Sequence, residues 1–378
     1  MSVVCSRFAA MLGAVSLALA ACGSDSGTAA DGGAGATASA TAGASAGAGS
    51  GAAGQAGSAG TSGTSGASGN AAAGTVAAGG TGGSSADKLA TNMLYGSFTL
   101  RLVPATEATG ATPAVPAQTS FIGFVTEGET PVANAWVEDQ KAGGCTLYTP
   151  KAPFCDPACG SGAVCVADDQ CVKNATPKAV GDITLQGLSG GPVTMSPLGA
   201  NNNYQPKAGT SLPYPPCAEG AQVSLAVAGG AYQPFELKAR CIQPLEFNGS
   251  LKLVKNTAAK LVWTPATDKQ LARIKVRLDI SHHGGSRGKI ECDVEDTGTL
   301  DLTPAMVTRL LELGVAGFPT VILTRIVSGG VASGEPQHVQ FLVQQSVERS
   351  VEIEGLLSCT EDSQCPTPKT CQSDLTCK

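Results

Sequence analysis

A glycine-flanked serine is the first residue in this sequence to consider as a nucleophile. Gly187-Leu188-Ser189-Gly190-Gly191 fits the G-x-S-x-G pattern and follows a β-like run. In that motif the serine hydroxyl is exposed because a helix follows it directly. Here Pro192 and then Val193-Thr194-Met195 follow, which indicates a turn and extended chain. The stretch therefore predicts a glycine-rich hairpin turn, and a hydrolase that uses Ser189 or a His/carboxylate site is the alternative.

The histidines and one acidic segment are the other candidates for chemistry. His282 and His283 are adjacent and His338 stands alone on a predicted strand. Adjacent side chains of a strand point to opposite faces, so we expect His282 and His283 in an exposed loop. An ordinary acidic turn, with calcium binding as the alternative, is expected for the carboxylates Asp293, Glu295, Asp296 and Asp301. The sequence predicts no catalytic residue, no metal site and no cofactor.

Cysteines are the most informative residue type in the chain. Besides Cys5 and Cys22 there are Cys145, Cys155, Cys159, Cys165, Cys171, Cys217, Cys241, Cys292, Cys359, Cys365, Cys371 and Cys377. An even number in an exported protein is what a disulfide framework requires. Zinc binding is the competing interpretation, but no C-x-x-C pair is present, so we predict disulfides at all of these positions.

Two groups of four cysteines are spaced regularly. "CDPACGSGAVCVADDQC" begins at Cys155, and "CTEDSQCPTPKTCQSDLTC" begins at Cys359. The second resembles small cysteine-rich modules of the EGF-like and Dickkopf amino-terminal kind, which implies a disulfide knob. Within each group we expect first-to-third and second-to-fourth pairing, although four cysteines allow three connectivities. The other four cysteines should form two longer-range bridges.

The first residues have the three-part pattern of a secretory signal peptide. Arg7 precedes an apolar run from Phe8 to Leu19, which is too short and too rich in alanine for a good membrane span. Leu19-Ala20-Ala21-Cys22 then resembles the lipobox of bacterial lipoproteins. The resemblance implies that Cys22 becomes the lipidated first residue and that the membrane is a partner. It also implies an outer-membrane location, facing the periplasm or the cell surface, because Gly23 and Ser24 follow instead of Asp.

A long tract of Ala, Gly, Ser and Thr follows the lipobox and predicts a flexible linker, since it cannot bury enough apolar surface to fold. The formal net charge is −6 and the basic residues are scattered, which argues against a nucleic-acid partner. A protein or glycan ligand remains open.

Beyond the linker, β-branched and alternating runs separated by turn residues predict a mainly β fold of antiparallel β-sandwiches. In "ARIKVRLDI" the residues Ile274, Val276 and Leu278 share one face and charged residues occupy the other, as in a half-buried strand. One short helix is expected after Thr303, with Pro304 in its first turn and a stop at Gly314. Trp136 and Trp263 are interpreted as core residues.

We therefore divide the chain into a signal peptide (1–21), a lipidated cysteine with a low-complexity linker (22–89), a β-rich domain (90–256) with a cysteine-rich insertion (145–171), a second β-rich domain or the second half of the same domain (257–356), and a cysteine-rich C-terminal module (357–378). The expected function is non-catalytic: an envelope protein that displays a disulfide-stabilised β domain for binding, adhesion or envelope structure. A sensor or assembly partner of another envelope protein is a further alternative.

Replacing the lipobox cysteine gives the first test. Cys22→Ser should abolish incorporation of a labelled lipid precursor and release the chain from membranes, because anchoring depends on acyl chains attached through that thiol. Metabolic labelling followed by membrane fractionation measures both effects. Cys5→Ser is the matched control and should keep the label, since Cys5 leaves with the signal peptide. Full labelling of Cys22→Ser would contradict the lipobox.

Overall fold

A computed structural model describes residues 94–108, 112–230, 232–331 and 338–378. The predicted signal peptide (1–21), Cys22 and the linker (22–89) lie outside the described residues. The strands are β1 (Leu94–Val103), β2 (Gln118–Glu127), β3 (Trp136–Ala142), β4 (Cys145–Pro150), β5 (Ala163–Ala167), β6 (Gln170–Lys173), β7 (Thr176–Pro177), β8 (Ile183–Gln186), β9 (Val193–Met195), β10 (Gln222–Val227), β11 (Phe235–Arg240), β12 (Leu251–Leu253), β13 (Ala259–Val262), β14 (Arg273–Asp279), β15 (Lys289–Glu295), β16 (Thr299–Leu302), β17 (Thr320–Val331) and β18 (Val339–Ile353). The helix is α1 (Pro304–Glu312), and a 3₁₀ turn covers Asp362–Gln364.

Most strands belong to one large sheet, whose wider part we call the front sheet. Its order is β3-β4-β15-β14-β17-β18-β1-β2-β7, antiparallel throughout except for the parallel pair β1 and β18. The far end of β17 also pairs with β11, and from there β11-β10-β8-β9 form the back sheet. The predicted mainly β, antiparallel fold with one helix and disulfide-rich knobs is confirmed for the described residues.

Two hydrophobic cores lie behind the front sheet. Core one fills the space between β1, β2 and β18 of the front sheet and the back sheet, with Phe98, Phe341 and Leu225 fully buried. Core two lies behind β4, β14, β15 and β17 and is closed by α1, β12, β13 and β16. Because antiparallel sheets can leave one face in solvent, the opposite face of the front sheet is free to carry polar residues.

The helix forms where its signals predict it. The Thr303 side chain accepts a hydrogen bond from the Met306 N–H, Pro304 lies in the first turn, and Gly314 adopts a φ of +89° after the helix ends. Val307 and Leu310 are fully buried in core two. The capping bond satisfies an amide that has no partner within the helix, so sequence and packing specify the same start.

Six disulfides join the predicted cysteines, which confirms the disulfide prediction. The pairs are Cys145–Cys292, Cys155–Cys165, Cys159–Cys171, Cys217–Cys241, Cys359–Cys371 and Cys365–Cys377. Both clusters have the first-to-third and second-to-fourth order expected from the sequence. Each bridge typically stabilises a domain by about 2–4 kcal/mol, which matters most in the two clusters because they have few apolar residues.

A fully buried ion pair lies where the two cores meet. The Arg325 guanidinium on β17 and the Asp296 carboxylate are both 0% exposed, with Nε donating to Oδ2 at 2.6 Å. The remaining Arg325 N–H groups donate to Asp296 Oδ1 and to the backbone carbonyls of Gln243, Pro244 and Thr264. All five donors of the guanidinium are therefore used, which is what a buried charge requires.

The Asp296 carboxylate likewise accepts several hydrogen bonds. Besides Arg325, it accepts hydrogen bonds from the Trp263 indole N–H at 2.7 Å and from the Ala266 amide at 3.3 Å. Gln345, opposite Arg325 on β18, bonds the amide and the carbonyl of Leu245. The network fixes segment 243–266 against the front sheet.

Candidate functional site: a charged groove on the front sheet

The outward side chains of β4, β15, β14 and β17 surround an open groove of about 460 Å³. We call it the front groove. The side chains that line it are Thr146 and Tyr148 on β4, Lys275 and Arg277 on β14, Glu291 and Asp293 on β15, and Ile322 and Thr324 on β17. The alternation of each strand places these residues on the face opposite core two, where Ile274, Val276 and Leu278 are buried. The half-buried strand predicted at "ARIKVRLDI" is confirmed as β14.

The floor of the groove is a ladder of opposite charges. Directly across β14 and β15, Arg273 faces Glu295, Lys275 faces Asp293, Arg277 faces Glu291, and Asp279 faces Lys289. Opposite charges at directly paired positions stabilise a sheet modestly, by about 0.2–1 kcal/mol each. The ladder therefore supports the register of this hairpin and leaves the groove with both signs of charge in equal number.

The Asp293 carboxylate interacts with two basic side chains of β14. It accepts a hydrogen bond from Arg273 Nε at 2.7 Å, and Lys275 Nζ lies 3.5 Å away. Burial acts against its ionisation, but the hydrogen bond from Arg273 and the charge of Lys275 outweigh burial and hold the pKa of Asp293 below its ordinary value of 3.8. The carboxylate is therefore ionised at neutral pH and accepts hydrogen bonds only.

Beside the groove, Lys289 lies between two aromatic rings, of which the Tyr148 ring lines the groove. Lys289 Nζ lies 4.4 Å from the Trp136 ring centroid and 5.4 Å from the Tyr148 ring centroid, and it donates to Glu291 at 2.6 Å. The interpretation of both tryptophans as core residues is therefore wrong for one of them. Trp263 is buried in core two, whereas Trp136 is half-buried at the edge of the sheet, where the cation–π contact accounts for its position.

A disulfide lies directly behind the groove. Cys145 and Cys292 are paired positions of β4 and β15 and belong to core two. Their neighbours Thr146 and Glu291 line the groove on the opposite face. The bridge therefore joins the two strands that carry one side of the groove, so that side can change little in width.

The candidates predicted from the sequence do not meet in one site. Ser189 is exposed in the turn between β8 and β9, which form an antiparallel hairpin, so the strand–turn–helix geometry of a nucleophile elbow is not formed. His282 and His283 lie in the turn after β14, with ring centroids 3.9 Å apart. His338 instead stacks on Tyr95 at 4.5 Å.

The acidic segment 293–301 does not form a shared metal site either. Asp293 faces the front groove, whereas Asp296 is buried against Arg325 behind the sheet. Where three possible metal ligands do converge in the described residues, they are cysteines of the two clusters, and each of these forms a disulfide.

The two cysteine clusters share one local structure. In each, the third and fourth cysteines are paired across a short hairpin, Cys165 with Cys171 and Cys371 with Cys377. In both clusters the residue four positions after the third cysteine has a positive φ, which is +57° at Asp169 in the first cluster and +58° at Leu375 in the second. They are therefore two versions of one disulfide module.

In the part of the chain that the structure describes, the helices are too short or too polar to cross a membrane. No protein-family model matches this chain, and no curated protein matches it. Among solved structures, the chain is similar to the one titled "Crystal structure of chicken CNTN1 FN1-FN3 domains" at 10% sequence identity and a TM-score of 0.18. That similarity covers 65% of this chain and 84% of the other. At this level it carries no information on ligand or partner.

The charge ladder predicts a change in the pKa of Asp293. Arg273→Gln should raise this pKa, because it removes a cation and the shortest hydrogen bond to the carboxylate. A carboxylate with a lowered pKa stabilises the fold above its unfolded-state pKa, and this contribution is lost as the pH falls through the folded-state value. An NMR titration of the carboxyl carbon measures the shift. Arg240→Gln in the back sheet is the control, and an unchanged pKa in Arg273→Gln would contradict the assignment.

Proposed function

We propose that this chain is a lipid-anchored protein of the outer bacterial envelope that binds an envelope component through the front groove. The observation that carries the binding role is an open groove of about 460 Å³ on the front sheet, lined by four charged side chains together with Tyr148 and Ile322. Grooves of this size with convergent polar groups are the usual location of ligand binding.

The anchoring role rests on the sequence around Cys22. A diacylated cysteine anchors stably where a single acyl chain would not. The linker of small residues behind it is long enough to hold a folded domain away from the membrane surface. Disulfides are stable in an oxidising compartment outside the cytosol, and the six bridges agree with that location.

The groove is better suited to recognition than to catalysis. Its two carboxylates, Glu291 and Asp293, are both engaged by basic side chains, Lys289 and Arg273 respectively. Proton transfer requires a group whose pKa lies near the working pH, and the lowered pKa of Asp293 moves it away from that range. Paired charges that are half exposed are instead available as hydrogen-bonding partners for a ligand.

Sedimentation with isolated envelope fragments tests the binding role without the anchor. The full chain carrying Cys22→Ser should co-sediment with cell-envelope fragments of a lipoprotein-producing bacterium. Adding Lys275→Ala and Asp293→Ala should abolish most of this binding, because it removes one donor and one acceptor of the front groove without changing the net charge.

The matched control removes a similar ion pair elsewhere. Glu236 and Lys238 on β11 form an exposed pair at 3.2 Å in the back sheet. Glu236→Ala with Lys238→Ala in the same Cys22→Ser chain should leave co-sedimentation unchanged. Equal losses for the two double variants, or no co-sedimentation of the parent chain, would refute binding through the front groove.

A further inference from the structure

The front groove also indicates the chemical class of its ligand. We infer that it binds an uncharged, hydroxyl-rich oligosaccharide, a proposal that rests on the binding role given above. Three properties of the groove carry the inference: its charge balance, its mixture of donors and acceptors, and its position in the middle of a sheet.

The charges in the groove cancel. Lys275 and Arg277 contribute two positive charges, and Glu291 and Asp293 contribute two negative charges. The rows on either side, Arg273 with Glu295 and Asp279 with Lys289, are balanced in the same way. A phosphorylated or acidic ligand needs a concentration of positive charge, and a cationic ligand needs the reverse. The balance therefore favours a ligand without net charge.

The polar side chains of the groove suit a ligand whose hydroxyls both donate and accept hydrogen bonds better than a ligand that only donates or only accepts them. Lys275 and Arg277 only donate hydrogen bonds, Glu291 and Asp293 only accept them, and the Thr146 hydroxyl does both. A sugar hydroxyl is itself both a donor and an acceptor. A chain of such hydroxyls can therefore bond both the basic and the acidic side chains, whereas a ligand with acceptors alone could bond only the basic ones.

Tyr148 gives the groove an apolar wall. The Tyr148 ring lines the groove. The Lys289 ammonium group packs over this ring, and the Lys289 side chain is only 10% exposed. Because Lys289 is also bound to Glu291 and lies over Trp136, the ring is held in place before a ligand arrives. A supported aromatic ring offers a flat surface for the C–H face of a sugar ring.

The position of the groove argues against a peptide ligand. Peptides that bind sheets usually add a strand at an edge, where backbone groups are unpaired. Here β15 is paired with β4 and β14, and β14 is paired with β15 and β17, so the backbone of the groove floor is already hydrogen-bonded on both sides. Only side chains can contact the ligand, which suits an oligosaccharide.

A glycan array tests the inference with the full chain carrying Cys22→Ser. We expect binding to neutral oligosaccharides and not to their sulfated, phosphorylated or uronic counterparts. Calorimetry with the strongest neutral oligosaccharide should give an affinity that is almost the same between about 0.05 M and about 0.5 M salt, because no net charge is neutralised. A phage-displayed peptide library is screened in parallel.

Two groove variants and two control variants test whether the oligosaccharide binds at the front groove. Lys275→Ala with Asp293→Ala, and separately the nearly isosteric Thr146→Val, should each weaken binding by about fivefold to tenfold or more. Glu236→Ala with Lys238→Ala on β11, and Thr299→Val on β16, should have no effect. Circular dichroism of each variant confirms that the fold is retained.

Several results would overturn the inference. These are failure of every neutral oligosaccharide to bind, preference for charged glycans with strong salt dependence, selection of peptides that compete at the groove, or equal effects of groove and control variants. The first three of these results would reject only the ligand class if co-sedimentation with envelope fragments still depended on the groove residues. The binding role would then stand. Failure of the Cys22→Ser chain without groove substitutions to co-sediment with envelope fragments would reject the binding role itself.

Discussion

The buried contact between Arg325 and Asp296 is the interaction on which the rest of the described structure depends. Removing two charges from water costs several kcal/mol per ion, so such a pair is tolerated only when every donor and acceptor is satisfied. Here the guanidinium uses all five donors, and the carboxylate also accepts bonds from Trp263 and Ala266. The pair therefore specifies one arrangement of segment 243–266 and one position of β17.

That arrangement explains how two cores share one sheet. β17 pairs with β14 and β18 over most of its length and reaches β11 of the back sheet at its end. Arg325 lies near the middle of β17, with core one on one side along the strand and core two on the other. The front groove is the outer surface of the same strands. Its shape therefore follows from contacts behind the sheet and from the bridge between Cys145 and Cys292.

Local signals in the sequence predicted local structure well. The cap at Thr303, the alternation in "ARIKVRLDI" and the two cysteine clusters each depend on residues close together in the chain, and these predictions agree with the structure. β3 was not predicted, because charged and polar residues dominate its sequence WVEDQKA. β4 was not predicted although Cys145 and Leu147 alternate with Thr146 and Tyr148. β18 is one continuous strand, since the alternation of buried and outward residues in its first half continues through Ser346 and Val347.

The candidate site depended on information that a single pass along the chain does not contain. The outward charges of β14 were visible in the sequence, but their meaning depends on the partner strand. Reading "GKIECDVE" backwards against "ARIKVRLD" as a hairpin would have paired Arg273 with Glu295 and Asp279 with Lys289. Asp296 was read as part of an acidic turn because its partner, Arg325, lies on a strand of another hairpin.

A double-mutant cycle on the buried pair tests the central claim most directly. The free energy of unfolding is measured in urea for the parent chain, Asp296→Leu, Arg325→Met and the double variant. Each single substitution leaves one buried charge unpaired and should cost about 3–5 kcal/mol, whereas the double variant should cost clearly less than the sum of the two. Additive losses, or single losses below about 1 kcal/mol, would show that the pair does not determine the packing of the two cores.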